Sequence, residues 1–84
     1  MKFWTNTISA PLSITNDDGA FFISVQAQGG SVTILGTSQF KGIISANATI
    51  TSGNTWTYQT SISEGAIAVT ITPTAAAAIM VAFN

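Results

Sequence analysis

Few side chains here can do acid–base or nucleophilic chemistry: Lys2, Lys41, Asp17, Asp18 and Glu64 are the only charged ones, and there is no histidine or cysteine. A serine nucleophile needs a base beside it, and no motif surrounds either lysine. Hydrolysis by paired carboxylates needs two carboxyl groups facing each other across a cleft. Asp17 and Asp18 are instead neighbours on one expected turn, and Glu64 stands at another. A zinc site built from histidine or thiolate is excluded by composition. Asn16-Asp17-Asp18-Gly19 carries the oxygen ligands a hard cation wants. It lacks the longer ligand ladder of a recognised calcium loop, and reads as a turn whose side chains bond their own backbone. The expectation is a protein that is not an enzyme, with no catalytic residue, no cofactor and no metal.

What remains is a surface, and composition constrains it. The 84 residues form one domain, 1–84. A chain of this size buries about 60% of its unfolded surface, so its stability margin is thin. Charged residues make up 6% of it, against roughly 25% in ordinary soluble domains. Thr, Ser, Asn and Gln supply the polarity instead. A net charge of −1 gives a free monomer little protection against self-association. Much of the surface is therefore expected to be covered, by copies of the chain or by a larger assembly. No basic patch offers a footprint for nucleic acid. Met1 to Asn6 lacks the apolar core of a signal peptide, and the longest apolar run, Ala75 to Phe83, is too short to span a bilayer. The expectation is synthesis in a cytoplasm, with neither signal peptide nor transmembrane segment. Without a secretory signal, the sequon Asn47-Ala48-Thr49 carries no meaning.

The elements that position this surface read as strands throughout. Trp56, Tyr58, Thr60 and Ile62 share one parity, and Ile67, Val69 and Ile71 alternate with small or polar residues. Such alternation marks a strand with one buried face. Leu12 and Ile14, then Phe21, Ile23, Val25 and Ala27, repeat it. Phe3 to Ile8 is a first strand, interrupted at Ala10-Pro11. Phe40 to Ser45 is a short one with a bulge at Gly42, and Ala46-Asn47 bends the chain before Ala48 to Thr51. A final strand of about six residues includes Ile79, Val81 and Phe83, and its leading alanines let a neighbouring backbone come close. Seven or eight short strands with turns every 8–12 residues predict an all-β fold, a small antiparallel β-sandwich or barrel.

Matching parities suggest that the connections are mostly hairpins. A two-residue tip at Glu64-Gly65 would set Ile62 opposite Ile67, Thr60 opposite Val69 and Tyr58 opposite Ile71. A tip at Ser52-Gly53-Asn54 would set Ile50 opposite Trp56. A loop at Asn16 to Gly19 would set Ile14 opposite Phe21, and Gly29-Gly30 would set Ala27 opposite Val32. Gly36 to Gln39 is expected as a loop. On this pairing Trp56 and Tyr58 point into the core, while Thr49, Thr51, Thr55, Thr57, Thr70 and Thr72 line the other face of one sheet. That face fits a solvated sheet surface, a polar interface between subunits, or an ice-binding array; the scarcity of charge favours contact over open water.

Three features stand together: the alternating run Gly30-Ser31-Val32-Thr33-Ile34-Leu35-Gly36-Thr37, the run Gly53-Asn54-Thr55-Trp56-Thr57-Tyr58, and the absence of cysteine and histidine. In these the chain resembles small structural proteins of tailed-bacteriophage virions, of the head-decoration or fibre type. The resemblance implies a β module, often trimeric, that binds a capsid shell or tail shaft and stabilises it. It implies a virion location and brings no functional residue with it. Unpaired edges invite another chain, so Phe3 and Trp4 in the first strand and Ile79, Val81 and Phe83 in the last join the threonines as contact candidates. The alternative is a carbohydrate-binding, lectin-like module, which Trp4 and Tyr58 exposed in one concave groove would support.

Overall fold

The computed structural model describes residues 2–16, 21–60 and 65–84. Among the described residues, the backbone is extended where the sequence alternates. The eight strands are β1 (Lys2–Ile8), β2 (Leu12–Asn16), β3 (Phe22–Gly29), β4 (Val32–Ser38), β5 (Gly42–Ile50), β6 (Thr55–Gln59), β7 (Ile67–Pro73) and β8 (Ala77–Phe83). They form two four-stranded sheets, β1-β8-β3-β6 and β2-β7-β4-β5, called sheet 1 and sheet 2 below. Every pairing is antiparallel. No described helix is long and apolar enough to cross a membrane.

The all-β sandwich is as expected, but its connections are not. Among the described strands, only β4 to β5 is a hairpin between sequence neighbours. Every other connection passes from one sheet to the other, which is the jelly-roll arrangement of two interlocked Greek keys. Ile14 pairs with Val69 and not with Phe21. Tyr58 pairs with Ile23 and not with Ile71. Val32 pairs with Ile50 and Pro73, not with Ala27. The reason is physical. Period-2 alternation states which side chains face inward, and that condition is met equally by strands side by side and by strands facing each other across a core. Short turns are compatible with both. The tip residue Glu64, and Ile62 with its expected inward orientation, lie outside the described residues, as do Asp17, Asp18 and Gly19. Gly65 and Ala66 can be placed. The Gln39 amide donates to the Ala66 carbonyl at 2.9 Å and the Ala66 amide to Gln39 Oε1 at 3.2 Å, so this segment joins the end of the β4–β7 ladder.

The core lies between the sheets and is built by their interior strands. Ile23, Val25 and Ala27 of β3 and Ala77, Ile79 and Val81 of β8 close it from sheet 1; Val32 and Ile34 of β4 and Ile67, Val69 and Ile71 of β7 close it from sheet 2. Phe21, just before β3, is also fully buried. Each of the larger side chains contributes roughly 1.5–3 kcal/mol relative to exposure. Trp4, Leu12, Ile14 and Phe83 pack against this core at one mouth of the sandwich, and Ile44, Trp56 and Tyr58 at the other.

Three local features depart from the sequence reading. Gly36 is not in a loop but lies mid-β4, opposite Ser45. A Cβ there would lie 2.8 Å from Ile44 Cγ1, so glycine makes room for a neighbouring side chain. The bulge expected at Gly42 falls elsewhere. Gly42 opens β5, and the β4–β5 register shifts twice, between Ile34 and Leu35 and between Gly36 and Thr37. The first shift leaves Asn47 as the extra residue, at φ 54°, so the expected Ala46-Asn47 bend is a bulge inside a continuous strand. Phe40 belongs to the β4–β5 turn and not to a strand. The alanines at the start of β8 do admit a close backbone. A Cβ on Gly30, at φ +92°, would lie 3.1 Å from Ala77 Cβ, a tight approach, and the left-handed backbone there itself favours glycine.

Candidate contact surfaces

The threonines expected on one face divide between two. Thr55 and Thr57 lie on the outer face of sheet 1, where the Thr57 hydroxyl donates to Ser24 Oγ at 3.2 Å. Thr49, Thr70 and Thr72 lie on the outer face of sheet 2. Thr33 stands between Thr49 and Thr72 in a single cross-strand row, and Thr70 Oγ1 is 3.3 Å from Ser13 Oγ. Thr51 is in the β5–β6 connection, with its hydroxyl accepting from Asn54 Nδ2 at 2.7 Å. The six do not form one array because β5 and β7 belong to one sheet and β6 to the other. Each outer face instead carries its own short rows of Ser and Thr.

Of the two terminal strands, β1 is an edge and β8 is not. β8 runs between β1 and β3, because the chain returns from sheet 2 into the gap beside the first strand. Ile79 and Val81 are accordingly sealed in the core, with no accessible surface, and offer no contact. Phe83 is half-buried at the mouth between β1 and β2. Phe3, on the outer face, is 71% exposed.

Trp4 sits on the inner face of β1 and, with Phe83, Leu12 and Ile14, lines a cleft of about 480 Å³ between the edges of the two sheets. Lys2 and Ser13 are on its rim, and the Lys2 ammonium lies 5.8 Å from the centre of the Phe83 ring, within cation–π reach. Tyr58 is nowhere near. It stands on β6, at the opposite edge of sheet 1, where its ring stacks on Trp56 with centroids 6.3 Å apart and planes at 10°. Trp4 and Tyr58 therefore share no groove.

The sequence reading missed the far end of sheet 2. Ile43 is 66% exposed and Phe40 is 73% exposed, with Leu35 at 36%. A signal was present for two of them. Ile34-Leu35 and Ile43-Ile44 are apolar at consecutive positions, so one member of each pair must face outward. Phe40 sits in a turn, where period carries no information. The cleft had no sequence signal, because Leu12 and Trp4 meet only through the pairing of the two sheets' edges.

No family model matches the sequence, and no curated protein matches it. Among solved structures, the chain is similar to the crystal structure of the Yersinia pseudotuberculosis-derived mitogen, at TM-score 0.52 and 10% identity, over 95% of this chain and 80% of that one. It is also similar to the crystal structure of PirA, at TM-score 0.45 and 14% identity, over 99% of this chain and 92% of that one. At such identity the likeness to the mitogen speaks to the fold alone.

Proposed function

We propose that this protein is a non-enzymatic structural subunit. It acts by self-association and by binding to a larger protein assembly, as the virion proteins it resembles in composition do. The observation that carries this reading is the exposure of Phe3, Phe40 and Ile43 on a chain with two basic and three acidic residues. Scattered apolar residues are ordinary on a surface. Here they stand on a surface with almost no charge, and depletion of charge is what marks the core of a surface that meets protein. The jelly roll is used by viral capsid proteins and by lectins, so the fold supports the reading by analogy without choosing between these roles. The carbohydrate-binding alternative loses its main support, since Trp4 and Tyr58 lie at opposite edges.

Two measurements test the reading. Sedimentation velocity at micromolar concentration should show a defined oligomer; a freely soluble monomer would count against it. Co-sedimentation with isolated capsid shells or tails from particles lacking the protein should recover it in a fixed stoichiometry. Absence of binding to either would remove the virion assignment.

A further inference from the structure

We propose that β1 is a self-pairing edge. It takes β1 of a second copy, antiparallel about a two-fold axis through Thr5, and so joins two copies of sheet 1 into one eight-stranded sheet. This rests on the reading above that the chain self-associates, and it names the element responsible.

The phase of the ladder shows what β1 offers. The Phe22 carbonyl accepts from the Asn84 amide and the Phe21 carbonyl from the Thr60 amide. Even-numbered residues of β3 therefore bond toward β8 and odd-numbered ones toward β6. Ser24 pairs with Ala82 and Gln26 with Met80, so even residues of β8 are committed to β3 and odd ones to β1. The odd ones pair with Lys2, Trp4, Asn6 and Ile8. The amides and carbonyls of Phe3, Thr5 and Thr7 thus point to the open side. The Thr7 amide faces that side too, where the adjacent Asn6 side chain caps it through Oδ1 at 2.8 Å, a bond that pairing exchanges for the Phe3 carbonyl of the second copy.

The four sheet edges are not equally open. β5 is broken by two register shifts. β2 has five residues and starts directly after Pro11, and β6 also has five. β1 has seven, paired with β8 without a shift. Edges protect themselves with bulges, proline, charge or shortness; β1 has a single charge, Lys2, at its end. That charge also selects the direction. Parallel copies would set the two ammonium groups side by side. The antiparallel pairing about Thr5 overlaps all seven residues and sets each Lys2 opposite Ile8 of the other copy, roughly 20 Å from its counterpart. A strand in this place would also cover Phe3 and lie along the mouth of the cleft that Trp4 lines.

The test compares the full chain with Thr5→Pro and, as a matched control at an outward-facing amide on the other edge of sheet 1, Gln59→Pro. Proline is accepted at an edge where the amide faces outward. Sedimentation equilibrium should show a dimer whose dissociation constant rises roughly tenfold or more in Thr5→Pro, through loss of the two central hydrogen bonds, and is unchanged in Gln59→Pro. Amide exchange on the unmodified protein gives an answer that does not depend on any variant folding: the Thr5 amide should be protected in concentrated solution and exposed on dilution. An oligomer unaffected by Thr5→Pro, a trimer, or an oligomer whose Thr5 amide exchanges freely overturns the proposal while leaving self-association standing. A monomer at every concentration defeats both.

Discussion

Phe21 and Thr60 are bonded to each other twice. The Phe21 amide donates to Thr60 Oγ1 at 3.1 Å and the Thr60 amide to the Phe21 carbonyl at 2.8 Å. Both residues are buried, so these bonds fasten the start of β3 to the end of β6 where water cannot substitute. Thr60→Val keeps the shape and removes the acceptor, leaving the Phe21 amide unpaired. It is expected to lower stability by about 1–3 kcal/mol. Thr60→Ser should retain most of it. Urea denaturation of the two variants makes the comparison.

Gly36 and Ile44 compete for one space. Gly36→Ala is expected to cost about 1–3 kcal/mol by overpacking, since the new methyl would meet Ile44 Cγ1 at 2.8 Å. Ile44→Ala should relieve much of that cost. A double-mutant cycle would then show a coupling of the sign that marks rescue; additive effects would mean the two sites do not touch.

The bulge at Asn47 sets a backbone demand that side-chain chemistry can probe. At φ 54° a β-branched residue is strongly disfavoured, while glycine and asparagine are tolerated. Asn47→Gly should leave thermal stability nearly unchanged, and Asn47→Val should lower it by about 1–2 kcal/mol.

Two isoleucines test the division between inner and outer faces. Ile71 has no exposed surface and Ile43 is 66% exposed. Ile71→Ala should cost about 2–5 kcal/mol by opening a cavity. Ile43→Ala should stay within about 0.5 kcal/mol and, under the proposed role, weaken association or shell binding instead. Equal losses of stability in both would contradict the burial described.

The inward set was legible from the amino acids alone. Phe21, Ile23 and Val25, and likewise Ile67, Val69 and Ile71, are the residues that line the core, because alternation is a local property written residue by residue. The half-buried inward stance of Trp56 and Tyr58, and the close approach to the alanines at the start of β8, could be read in the same way. Which strand lies beside which was decided only by the tertiary structure. Tyr58 meets Ile23 and Ile14 meets Val69 because two apolar sheet faces buried against each other satisfy every parity at once, but hairpins closed into a barrel would satisfy the same parities, so the local pattern does not choose between them. The threonine face, the supposed edge at Ile79 and Val81, and the cleft beside Trp4 all depended on that choice of neighbours. Each is a relation between residues distant in the chain, and no local period encodes it.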